Sequence, residues 1–77
     1  MADEAEILID ARGHLCPVPT LKLRRALEAA PVGGRVRLLA DDPMARIDVP
    51  HFAASAGVRI ESLVVEDQTL DVLILKA

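Results

Sequence analysis

The residue in this 77-residue chain best suited to covalent chemistry is Cys16, the only cysteine, which stands directly before Pro17-Val18-Pro19. Proline is accepted in the first turn of a helix, where its missing N–H had no intrahelical partner, and is rejected further in. The two prolines therefore predict a helix start with Cys16 as N-cap, Pro17 at the first helical position and Pro19 at the third. On that reading the N–H groups of Val18 and Thr20 are free donors near the sulfur, and the helix dipole and these donors favour the thiolate. The charges point the same way. Residues 1–10 carry Asp3, Glu4, Glu6 and Asp10 and no base, whereas residues 11–27 carry Arg12, Lys22, Arg24 and Arg25 and no acid. A local positive field is expected to hold a thiolate and to steer an acidic partner.

The remaining chemistry-bearing residues are fewer. His14, two residues before the cysteine, is a candidate base or charge partner for the thiolate. His51 reads as a surface residue of a second helix, and Cys16, His14 and His51 do not have a zinc-site spacing, so neither metal nor cofactor is expected. One cysteine excludes an internal disulfide framework and disfavours two-thiol redox chemistry. It remains competent to accept and pass on a sulfur atom, or to form a mixed disulfide. Asp41-Asp42-Pro43 reads as a turn or cap, and Gly33-Gly34 lacks the pattern of a phosphate-binding loop.

The elements that must position Cys16 follow from periodicity. Glu6 to Asp10 is one strand, and residues 11–15, with Gly13 as the flexible point, form a loop into a helix from about Pro17 to Ala30. At about 100° per residue, Pro19, Leu23, Ala26, Leu27 and Ala30 share the core face. Val18, Leu21, Lys22, Arg24 and Arg25 face away and form a candidate partner-binding surface. Arg35 to Ala40 is a strand with Val36, Leu38 and Ala40 on one side. Pro50 argues against a helix beginning at Pro43, so the second helix is predicted from about Val49, with Asp48 as N-cap, to Ala56, with Gly57 as the C-terminal glycine. Residues 42–47 are then irregular. Val58 to Glu66, the turn Asp67-Gln68 and Thr69 to Lys76 complete a hairpin whose core face is Leu70, Val72 and Ile74. The order β-α-β-α-β-β predicts an α+β fold: a two-layer sandwich of a four-stranded mixed sheet with two helices on one face. A single domain over residues 1–77 is expected, with residues 1–5 frayed. The chain is 52% apolar but has one aromatic residue, Phe52, so its core is aliphatic.

The net charge of −3 argues against direct nucleic-acid binding. No apolar run approaches a membrane span and no secretory signal is evident, so the expectation is a cytoplasmic monomer without membrane contact.

Asp10-Ala11-Arg12-Gly13-His14-Leu15-Cys16-Pro17-Val18-Pro19 resembles the D-x-x-G-x-x-C-P-x-P signature of the TusA-like (SirA/YedF/TusA) small sulfur carriers. Ala40-Asp41-Asp42-Pro43, followed by Asp48-Val49-Pro50 and Phe52, is similar to that family's second block. The resemblance implies a sulfurtransferase that carries a persulfide on Cys16. It implies a cysteine desulfurase or rhodanese-type donor and an acceptor cysteine on a DsrE-like or similar protein. The destination would be tRNA thiolation, molybdenum-cofactor biosynthesis or sulfur oxidation. Val18 stands where several tRNA-pathway members have glutamate, and Glu28 where such members can carry a base. A second reading of another class is a non-catalytic interaction or regulatory module using the basic face of the first helix.

Overall fold

Alternating apolar residues build the centre of the sheet. In β2 (Arg35–Ala40), Val36, Leu38 and Ala40 are buried; in β4 (Thr69–Leu75), Leu70, Val72 and Ile74 are. The two strands pair antiparallel with Val36 opposite Ile74, Leu38 opposite Val72 and Ala40 opposite Leu70, so all six side chains share one face. β1 (Glu6–Asp10) lies parallel to β2, and β3 (Arg59–Glu66) antiparallel to β4, giving the order β1-β2-β4-β3. This computed structural model describes residues 6–76; the expectation for residues 1–5 falls outside them.

Two helices cover the buried face. α1 (Val18–Ala29) contributes Pro19, Leu23 and Leu27, and α2 (Ala45–Ala56) contributes Ala45, Val49 and Ala53. The result is the predicted α+β sandwich with a mixed sheet. Leu38 is fully buried at its centre. Leu38→Ala should cost about 2–5 kcal/mol, because the lost transfer energy is compounded by a cavity that rigid neighbours cannot close. Urea unfolding followed by circular dichroism measures this directly.

The second helix departs from expectation. It begins at Ala45, one turn before the predicted start, and Pro50 lies inside it. The extra turn is secured by Ala45 N–H donating to the Asp42 carbonyl (2.9 Å) and Asp48 N–H donating to the Met44 carbonyl (2.8 Å). Asp48 is therefore not the N-cap; it sits in the first turn. Pro50 leaves the Arg46 carbonyl without its helical partner, but Arg46 is exposed and water can serve. Complete burial of Ala45 and Val49, one turn apart, outweighs that loss. Other boundaries shift by a residue: α1 starts at Val18, β3 at Arg59, and β4 ends at Leu75. Gly57 does cap α2, with φ of 73° in the left-handed region where glycine is least strained.

Candidate functional site

Parallel β1 and β2 end at the same edge of the sheet, so the loop after β1 and the segment after β2 meet there. In the first loop, His14 N–H closes a turn on the Ala11 carbonyl (3.2 Å) with Gly13 at φ of 85°. A second turn follows, closed by Val18 N–H on the Leu15 carbonyl (3.0 Å), with a cis peptide between Cys16 and Pro17. Two consecutive carboxylates from the end of β2 hold these turns. Asp41 Oδ1 accepts from Gly13 N–H (2.9 Å), and Asp42 Oδ2 accepts from Cys16 N–H (2.5 Å). The other oxygen of Asp42 accepts from Met44 N–H (3.2 Å), so one side chain ties the cysteine to the start of α2. Cys16 is half-buried, packed on the edge of the apolar core.

This geometry corrects the predicted helix start. Pro17, not Cys16, is the N-cap, and Pro19 is the second helical residue. The Val18 N–H is occupied by Leu15 and is not a free donor for the sulfur. The electrostatics are also reversed. The Cys16 thiol is pushed up to about 12, first by burial, then by a hydrogen bond to and the charge of Asp48, and further by Asp42. Three of the four bases expected to lower it are directed elsewhere. Arg12 closes on Asp10 through Nε (2.8 Å) and Nη2 (2.7 Å), holding that carboxyl down to about 2. Arg24 lies 3.5 Å from Glu28, and Lys22 Nζ lies 3.5 Å from His14 Nε2. His14 is exposed, and its recorded side-chain contact is with Lys22 rather than the thiol.

Asp42 titrates below the ordinary carboxylate range because the N–H groups of Cys16 and Met44 bond its charged form. A depressed folded-state pKa adds stability above the unfolded value, about 3.8, and that stability is lost as pH falls through the folded value. Asp42→Asn should therefore melt lower than wild type at pH 7, with the gap narrowing at pH 3, in thermal melts at the two pH values.

Val18 and Leu21 are exposed on α1 beside Lys22, Arg24 and Arg25, as the helical periodicity predicts. Exposed Leu15 extends this surface before Cys16, and Met44 and Ile47 are exposed on the Asp42–Asp48 segment. Asp42 and Asp48 are the site residues that sequence reasoning missed. The parallel strand order was the available signal for Asp42, because it brings the two strand ends together. Among the described residues, no group of three or more His, Cys, Asp or Glu could hold a metal ion, and no helix is long and apolar enough to cross a membrane.

With this geometry the chain can be set beside known proteins. The family profile described as Sulfurtransferase TusA matches residues 7–76. Sulfur carrier protein TusA of Pseudomonas syringae pv. syringae is 33% identical over 61 residues, covering 79% of this chain and 73% of the relative. A protein of Archaeoglobus fulgidus is 39% identical over 49 residues, a match spanning 64% of either chain. The crystal structure of a SirA-like protein from Desulfitobacterium hafniense superimposes with a TM-score of 0.79 at 31% identity, covering 90% of this chain and 95% of that one. The chain belongs to the TusA family.

Proposed function

We propose that the protein is a sulfur carrier that holds a sulfane sulfur as a persulfide on Cys16. The observation that supports this most directly is the setting of the sole cysteine. It is half-buried at a loop–helix junction, with its backbone N–H fixed by Asp42 and its thiol beside Asp48. The relatives named as sulfur carriers lend the same reading.

In loading, the Cys16 thiolate attacks the terminal sulfur of a donor persulfide, R–S–SH. The donor's S–S bond breaks, R–S⁻ leaves, and Cys16–S–SH forms. The proton leaves to water or to a base on the docked donor, because the Asp48 carboxylate beside the thiol opposes formation of the thiolate. In discharge, an acceptor thiolate attacks the outer sulfur and Cys16 departs as the leaving thiolate, which then regains a proton. A thiol with a raised pKa is a poor leaving group. The acidic setting therefore slows loss of the stored sulfur to stray thiols and leaves release to a docked partner.

Arg12 and His14 shape the loop around the thiol, Pro17 and Pro19 fix the helix start, and Val18, Leu21, Lys22, Arg24 and Arg25 form the docking face. The donor is of the cysteine desulfurase or rhodanese type, and the acceptor a cysteine-bearing protein. Incubation with a desulfurase and cysteine, followed by intact-mass measurement, tests the reading: a gain of one sulfur atom, removed by reductant, is expected. No gain would overturn it.

A further inference from the structure

One buried polar group has nothing to bond. The Thr20 hydroxyl is sequestered from solvent, and among the described residues its Oγ1 is the one buried side-chain oxygen or nitrogen without a hydrogen-bond partner. A buried hydroxyl left unpaired is costly, and a folded protein that keeps one calls for a reason. A threonine in a helix can bond its hydroxyl to the carbonyl four residues back, here that of Cys16, and this one does not. The Thr20 N–H, in the first turn of α1, has no acceptor among the described residues either.

Helix geometry places these donors beside the sulfur. Thr20, Arg24 and Leu27, at i, i+4 and i+7, share one side of α1. Arg24 and Leu27 line a groove of about 220 Å³ together with Phe52 and Ala56 of α2, so that side is turned toward α2. On α2 the matching stripe is Asp48, Phe52 and Ala56, at i, i+4 and i+8. The helices follow β1 and β2, which run parallel, so both begin at the same edge of the sheet. Thr20 lies one turn before Arg24 as Asp48 lies one turn before Phe52, and the two face each other where the helices start. Asp48 is in turn hydrogen-bonded to the Cys16 thiol. Hydroxyl, thiol and carboxylate converge on one end of the helix pair.

We propose that Thr20 is the hydrogen-bond donor for the carried sulfur: its hydroxyl donates to the outer sulfur of Cys16–S–SH once that sulfur has lost its proton. This role rests on the carrier reading above. A persulfide adds an atom about 2 Å beyond Sγ. The charged and titratable groups at this end are Asp42 after β2, Asp48 on α2, Arg24 beside Glu28 further along α1, and His14 against Lys22. Asp42 and Asp48, the two that act on the thiol, are carboxylates and oppose a negative charge on the outer sulfur. A donor used by nothing else offsets them, and bonding the charged form lowers its pKa. The hydroxyl is unpaired beside the thiol because its partner is the atom that loading adds.

The test is made on wild type, Thr20→Val and Thr20→Ser, each loaded with a desulfurase and cysteine. Reaction of the outer sulfur with iodoacetamide is followed by intact mass as a function of pH. Thr20→Val keeps the shape and removes the hydroxyl, and its midpoint should rise by about one pH unit, the size expected for a hydrogen bond to a charged group. Thr20→Ala, which has no second methyl to misfit, should show the same rise, and Thr20→Ser should restore the wild-type midpoint. Unloaded protein is the control. There the hydroxyl has no partner, so the thiol profiles of wild type and Thr20→Val should coincide, and the valine variant should melt no lower. Coincident midpoints after a full mass gain in both overturn the role of Thr20 and leave the carrier reading standing. A midpoint that moves equally in loaded and unloaded protein overturns it as well, as an effect of packing. A wild type that gains no sulfur overturns the carrier reading and this role with it.

Discussion

Cys16→Ser should abolish loading: after incubation with a desulfurase and cysteine, the variant's intact mass is expected to stay unchanged while wild type gains one sulfur atom. The effect is all or none in principle. A serine hydroxyl cannot form the S–S bond that defines a persulfide, and the chain has no second cysteine to substitute for it. The exchange is otherwise mild. Oxygen replaces sulfur at a half-buried position, the Asp42 carboxylate still accepts from the backbone N–H of residue 16, and the serine hydroxyl can donate to Asp48. Stability should move by no more than about 1 kcal/mol, so a matching thermal melt would assign the lost loading to chemistry and not to unfolding. The same variant separates the carrier reading from the interaction-module reading. A module acting through the exposed face of α1, with Leu21, Arg24 and Arg25, would keep its biological activity without the thiol. A carrier would lose it. Retained activity in Cys16→Ser, or an equal mass gain, would overturn the persulfide role.

The position of the sulfur was legible because proline restricts backbone conformation whatever its surroundings. Pro17 and Pro19 placed the start of α1 to within one residue. The sheet was legible for a similar reason: the alternation of Val36, Leu38 and Ala40, and of Leu70, Val72 and Ile74, is a property of the strand itself. What stayed hidden depends on contacts distant in sequence. Asp42 reaches a backbone N–H 26 residues away and Asp41 one 28 residues away, and no local pattern states which way a side chain turns at a strand end. The start of α2 is set by the buried apolar stripe Ala45, Val49 and Ala53, which outweighs the local cost of Pro50 and which a rule about proline alone does not contain. Magnitude explains the misjudged thiol. A helix N-terminus contributes about 0.3–1 kcal/mol at an exposed site, less than one pKa unit. Burial and two carboxylates act in the opposite sense and raise the thiol from 9.0 to about 12.

That inversion makes Asp48 the most informative residue to change after the cysteine. Asp48→Asn keeps size and shape but removes the negative charge that, after burial and the hydrogen bond to Asp48, raises the thiol pKa. In wild type, a pKa raised from 9.0 to about 12 cuts the thiolate fraction near neutral pH about a thousandfold. The rarer thiolate is more nucleophilic, and a Brønsted coefficient of about 0.4–0.5 recovers part of that loss. Together these leave exchange with a small aromatic disulfide roughly 30–60-fold slower than for an ordinary cysteine. In Asp48→Asn the rate at pH 7.5 should rise about 2–5-fold, with burial, the larger cause, and Asp42 retaining the remainder of the effect. The pH–rate profile carries the sharper signature. Wild type should still be climbing at pH 10–11, whereas the variant should level off earlier. Stability has a matching sign: a folded-state pKa above the unfolded one means stability falls as pH rises from about 9 toward about 12, and the variant should lose less across that window. Superimposable profiles would remove Asp48 from the control of the thiol. An Asp48→Glu variant that keeps the slow rate would identify the carboxylate charge as the cause.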